Sequence, residues 1–278
     1  MKKNSQQNNN ESSALIDYSV YKMSKFEKLG YILLAFVVGA FVGYLFYGGI
    51  GKDVDGNPTT LTYVLNVLIP TITGIIAAKI FLPIRKQQII EKRKKSLHLQ
   101  FRDFIESVAT SLNAGKNVPD SIKNAYDDLK VQYAEGSFIL RELEWILSNM
   151  NNNVNLEDLL LDFGNRSGIN DIESFGSVFE TCYRKGGNIK DVIKTTHQII
   201  GDKIEIEMEI ETMVTANKTE QYIMIAMPIG LIALIKMMSP EFAANFVSAS
   251  GIIATTIAIA IFIVAYFVGR EVLSIKKV

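Results

Sequence analysis

The sequence predicts an all-α membrane protein in which four transmembrane helices, in two hairpins, flank one cytoplasmic bundle of about six helices. Three observations predict it. Long uncharged runs stand in pairs at the two ends of the chain. The charged stretch between them carries apolar residues at helical spacing and a single proline, Pro119. Lysine and arginine gather on the same side of every run. Four parts follow: residues 1–28, a polar cytoplasmic segment; 29–84, the first transmembrane hairpin; 85–220, a cytoplasmic helical domain; and 221–278, the second hairpin and tail.

The chain opens on an Asn/Gln/Ser-rich stretch through Ser13, expected to be disordered and not to be a cleavable signal peptide. The uncharged runs are Leu29–Gly51, Gly56–Ala78, Gln221–Ile235 and Phe242–Gly269. A bilayer core of about 30 Å needs about 20 apolar residues in a helix. The first, second and fourth runs reach that length unaided. The third reaches it only with Lys236 and Met237–Pro240, the lysine amine snorkelling to the headgroups. Small residues repeat every four positions along each run: Ala35, Gly39 and Gly43; Gly74 and Ala78; Ala226 and Gly230; Ala254 and Ala258. Such seams let helices approach closely and predict intramembrane packing or oligomerisation. Pro70 and Pro228 are expected to kink their spans.

Orientation follows from the positive residues, which stay cytoplasmic. Lys2, Lys3, Lys22, Lys25 and Lys28 precede the first run. Arg85, Lys86, Lys92, Arg93, Lys94 and Lys95 follow the second, and Arg270, Lys276 and Lys277 end the chain. The two hairpin turns hold one each, Lys52 and Lys236. Both termini and the central segment are therefore expected in the cytoplasm, with the turns outside. The formal net charge is zero, yet Ser96–Glu220 holds 12 Lys/Arg against 21 Asp/Glu. An acidic domain behind a basic collar argues against nucleic acid as a partner. The collar itself reads as an anchor to anionic lipid.

Within 85–220, apolar stripes recur at helical spacing. They are Leu99, Phe101, Ile105, Val108, Ala109 and Leu112; Leu140, Leu143, Ile146, Leu147 and Met150; Leu156, Leu159, Leu160 and Phe163; Ile172, Phe175, Phe179 and Cys182; and Ile189, Val192, Ile193, Thr196, Ile199 and Ile200. A short helix from Pro119 to about Tyr133 makes six. Helices this short are unstable singly, so the stripes must bury against one another. Ile204–Glu211 alternates apolar and acidic residues, a strand pattern. It reads as helix because no partner strand is visible.

Three segments share the pattern Asn–apolar–x–Asp–x–apolar: Asn117 to Ile122 with Asp120, Asn155 to Leu160 with Asp158, and Asn188 to Ile193 with Asp191. Asn as N-cap accepts a bond from a free backbone N–H, and Asp in the first turn favours the positive helix end. Gly115 and the pair Gly186-Gly187 stop the preceding helix in two of the three. On spacing alone these are either one repeated element or three unrelated helix starts.

Gly115-Lys116-Asn117-Val118-Pro119-Asp120-Ser121-Ile122 resembles the glycine–x–x–apolar–x–x–Ala/Ser–apolar signature of the type II secretion system F domain. Gly186-Gly187-Asn188-Ile189-Lys190-Asp191-Val192-Ile193 resembles its later counterpart, a glycine turn opening the last cytoplasmic helix. Gly164-Asn165-Arg166-Ser167-Gly168 with Asp171, Phe175 and Phe179 fits between them. One copy of the domain between two pairs of spans is similar to the short platform proteins of tight-adherence (Tad) pilus systems. The middle motif departs from the pattern, with Asn151–Asn153 where a glycine is common; asparagine also tolerates the left-handed conformation.

The resemblance implies a non-enzymatic platform in the cell membrane. It would couple a cytoplasmic secretion ATPase to pilin or pseudopilin subunits, as a homo- or hetero-oligomer beside a paralogous platform protein. Asp202, Glu205, Glu207, Glu209 and Glu211 crowd ahead of the third run. They are either a solvated helix face or the contact for a basic surface of that ATPase.

Catalytic constellations are thin, and no enzyme, cofactor or metal is expected. His98, His197 and Cys182 form no metal-ligand spacing, and Cys182 reads as a core residue on the stripe of Phe175 and Phe179. A lone cysteine allows no intrachain disulfide. Gly48–Asp53 resembles a phosphate loop but puts Asp where Ser or Thr holds magnesium. Asp127-Asp128 and Glu142/Glu144 read as a solvated face. The alternative class is an oligomeric transporter or channel with a regulatory bundle. The absence of Asp or Glu within the runs disfavours it.

Overall fold

The computed structural model describes residues 16–51 and 57–273. Among them the chain is helical, with no strand. The helices are α1 (Lys25–Tyr47), α2 (Thr60–Asn113), α3 (Val118–Gln132), α4 (Phe138–Asn151), α5 (Leu156–Ser167), α6 (Asn170–Lys185), α7 (Ile189–Met238), α8 (Pro240–Phe246) and α9 (Ala249–Leu273). Four are long and apolar enough to cross a membrane: α1, α2, α7 and α9. This is consistent with a membrane protein. Lys2, Lys3, Lys52, Asp53, Lys276 and Lys277, which entered the charge and phosphate-loop arguments, lie outside the described residues. Contacts divide the chain into two units, residues 1–22 with 86–208, and residues 23–85 with 209–278.

In the first unit the stripes close on one core. Leu97, Phe101, Phe104, Ile105, Val108 and Leu112 of α2 are buried, as are Ile122, Ala125 and Leu129 of α3 and Ile139, Leu143 and Ile146 of α4. α5 contributes Leu156, Leu159, Leu160 and Phe163, and α6 contributes Ile172, Phe175 and Phe179. Cys182, one turn further along α6, is only half-buried. Two of the six stripes do not belong to separate short helices, because they lie on α2 and α7, which also carry apolar runs. The alternating stretch Ile204–Glu211 is helix within α7. Residues two apart on a helix face nearly opposite ways. Ile204 accordingly joins the core while Ile206 is exposed.

α5 and α6 cross where two glycines remove their side chains. A Cβ on Gly164 would lie 3.0 Å from Glu173 Cα, and one on Gly176 would lie 2.9 Å from the Leu160 carbonyl oxygen. Both neighbours are backbone, so neither can swing aside.

In the second unit the seam of α1 meets that of α2. A Cβ on Gly39 would stand 2.5 Å from Ala77 Cβ and 3.1 Å from Gly74 Cα, and one on Gly74 would stand 2.7 Å from the Phe36 ring. Ala35 is buried, Gly43 packs on Thr73, and Thr73 Oγ1 donates to the Gly39 carbonyl at 3.1 Å. Ala77, not Ala78, is the residue opposite Gly39; Ala78 is half-buried. Ala226 and Gly230 are exposed, and a Cβ on Gly230 would meet nothing within 4 Å. Among the described residues nothing packs on Gly230. Helix α2 continues through Pro70 and Pro83, and α7 through Pro228. Lys236 Nζ donates to the Leu45 carbonyl at 2.6 Å and the Phe46 carbonyl at 3.4 Å. Helix ends leave their last carbonyls unpaired, and the lysine fills that vacancy for α1.

Candidate functional site

The acidic stretch of α7 resolves into two rows. Asp202, Glu205 and Glu209 stand three, four and seven residues apart, share a face and are exposed. Glu207 and Glu211 form a second row, three and seven residues beyond the buried Ile204. Glu207 is half-buried there. Glu209 and Glu211 belong to the second unit. The five acids are therefore not one surface of one unit, and Asp202 and Glu205 are the exposed pair of the first unit that shares a face.

Each Asn–apolar–x–Asp segment lies at a helix start, but the three start differently. Asn117 Oδ1 accepts from the Asp120 backbone N–H at 2.8 Å, the cap bond expected. Asn155 makes no such bond; its Nδ2 donates to Asp158 Oδ2 at 3.3 Å. Asn188 Nδ2 donates to Asp191 Oδ2 at 2.6 Å. Asp158 is further engaged by Arg184, whose guanidinium also meets Glu180 at 2.9 Å and Glu157 at 3.5 Å. The turns ahead use left-handed backbone: φ is +89° at Gly115, +61° at Asn153 and +75° at Gly186. Asn153 thus takes the conformation that glycine supplies in the other two. Gly187 serves by size, since its Cβ would lie 3.2 Å from Cys182 Cβ.

The largest polar feature was not read from the sequence. Glu142, taken with Glu144 for a solvated face, is 2% exposed. Arg166 grips it at both oxygens, Nη2 to Oε2 at 2.7 Å and Nη1 to Oε1 at 3.0 Å. Arg166 Nε also donates to Asp162 at 2.7 Å, and its guanidinium lies 5.4 Å from the Trp145 ring. The Tyr18 hydroxyl donates to Glu142 Oε1 at 2.9 Å. Burial alone would pull the Arg166 pKa down, but the Glu142 bond and charge outweigh it and hold it up. Burial raises the Tyr18 pKa, and the Glu142 charge adds to the rise. A usable signal did exist. Glu142 stands three residues after Ile139 and four before Ile146, on the buried face of α4.

A second cluster joins α2, α6 and α7. His98 Nε2 lies 2.9 Å from Asp171 Oδ2, although the ring N–H is poorly aligned for a bond, and Lys203 Nζ donates to both Asp171 oxygens at 3.0 and 3.1 Å. The nearby imidazole lowers the Asp171 pKa; burial opposes this and Lys203 reinforces it. His197 lies 3.9 Å from Glu106, so each histidine faces a carboxylate across a helix seam.

No family model matches the chain, and neither the curated proteins nor the solved structures contain a significant match.

Proposed function

We propose that this chain is a non-enzymatic membrane platform of a type IV or Tad-like pilus, or of a type II-like secretion apparatus. In this reading two membrane hairpins flank one cytoplasmic bundle. Both termini and residues 85–220 lie in the cytoplasm of a cell whose plasma or inner membrane holds the spans. The platform couples a secretion ATPase to pilin or pseudopilin subunits, beside a paralogous platform protein. One observation carries the reading. The two motifs that resemble the F domain open α3 and α7, each start lying in the first unit behind a glycine in the left-handed conformation. The apolar helices before and after that unit support it further.

In this proposal the outward pair Asp202 and Glu205 is the contact for a basic surface of the ATPase. Exposed charge pairs contribute about 1 kcal/mol or less each, so single reversals should be nearly silent. Reversing both to lysine is expected to weaken ATPase binding by up to about 30-fold, with membrane insertion and melting unchanged. Co-purification with a secretion ATPase co-expressed from the same cell measures it. Undiminished co-purification would leave the pair a solvated face.

The orientation has its own test. Glu135 is exposed in the turn between α3 and α4. A Glu135→Cys variant in a Cys182→Ser background should stay unlabelled by an impermeant thiol reagent on intact cells and label fully after lysis. Labelling from outside would refute the cytoplasmic placement.

A further inference from the structure

The segment ahead of α1 is not helical and turns at Tyr18–Ser19, yet it places one side chain at the centre of the first unit. Tyr18 is 1% exposed, edge-on to Phe138 at 5.6 Å, with its hydroxyl on Glu142. Its neighbours Asp17, Ser19 and Val20 are exposed. The segment's backbone is joined to the unit at Ile16 and Tyr18. The Tyr18 N–H donates to the Arg166 carbonyl at 3.2 Å, and Arg166 Nη1 donates to the Ile16 carbonyl at 3.4 Å. The track continues past Gly168, whose φ of +58° and missing side chain leave room for Ser19 and Lys94. It ends where the Arg93 guanidinium lies 4.1 Å from the Tyr21 ring.

We infer that Ile16–Tyr21 is a releasable strap. The cleft under it is a docking site for a turn-forming, tyrosine-bearing segment of this chain's own sequence, filled here by Ile16–Tyr21. Three features separate this arrangement from ordinary core packing. Tyr18 is the strap's one fully buried side chain, with Ile16 partly buried against the core, so departure exposes one ring and one aliphatic side chain rather than a helix face. The cleft also tolerates vacancy. A buried carboxylate that lost its sole partner would be strongly unfavourable, but Glu142 keeps both Arg166 bonds when the phenol leaves. Finally, the strap holds its own shape: Asp17 Oδ1 accepts from the Ser19 N–H at 2.8 Å and the Asp17 carbonyl from the Val20 N–H at 3.3 Å. A turn closed by its own bonds can leave and return without refolding, and such weakly attached elements open locally while the core stays closed.

Hydrogen exchange on the full chain in detergent micelles tests the release. The amides of Tyr18–Lys22 are expected to exchange on the order of 100-fold faster than those of α5. In a Tyr18→Ala variant α5 and α6 should keep their protection. A labelled peptide of residues 16–22 tests the docking site. It should bind the Tyr18→Ala chain saturably and the unaltered chain at least about 10-fold more weakly, because the tethered strap competes at high effective concentration. The same peptide with alanine at the position of Tyr18 should not bind. Strap amides as slow as those of α5, or α5 unprotected in Tyr18→Ala, would make the segment core and overturn the inference. Failure of the peptide to bind Tyr18→Ala would overturn it equally. None of these readouts depends on pilus assembly or an ATPase, so they stand apart from the function proposed above.

Discussion

Replacing Glu142 with alanine is expected to destabilise the first unit by about 3–5 kcal/mol, the range for removing one partner of a buried ion pair. Arg166 would keep Asp162, but that carboxylate is half in solvent, while the guanidinium beside Trp145 is largely out of it. The value should therefore fall toward the lower end. Thermal unfolding in detergent measures it. The sharper test is the pair: Glu142→Leu combined with Arg166→Met should cost less than either change alone, because no charge is then left buried without a partner. Equal melting of Glu142→Ala and the parent would mean that Arg166 finds other solvation.

Phe101→Ala should cost a similar 3–5 kcal/mol for a different reason. The ring is fully buried and touches three others, Phe104 at 5.9 Å, Phe163 at 6.0 Å and Phe175 at 5.5 Å between centroids. It joins α2 to α5 and α6. These helices are held by backbone hydrogen bonds and cannot collapse into the void, so the lost contacts stay lost. Phe101→Leu, which keeps most of the volume, should recover more than half of the loss. If alanine were as stable as leucine, the four rings would not form the keystone of this core.

The helices were legible because their burial is periodic. Leu156, Leu159, Leu160 and Phe163 announce one buried face, and all four are buried. The alternation at Ile204–Glu211 misleads only while each apolar residue is assumed to be buried; Ile206 is not. What stayed hidden depends on contacts between distant positions. Tyr18 sits in a segment with no period, and its partner Glu142 is 124 residues away. Gly164 could be seen as a turn residue, whereas its use at the α5–α6 crossing is fixed only by the backbone opposite. The acids of α7 were visible as a cluster, but their division into two rows needed the helix.

The lysine at the end of α7 has a consequence for how such a chain is made. Its uncharged run, Gln221–Ile235, is the shortest of the four, and Lys236 adds a charge to it. The carbonyls that receive that charge belong to Leu45 and Phe46, at the end of α1, which leaves the ribosome before α7. Acceptor is synthesised before donor. By the time the ammonium group emerges, the chain has already made the site that replaces its water, and vectorial synthesis supplies the remedy ahead of the need.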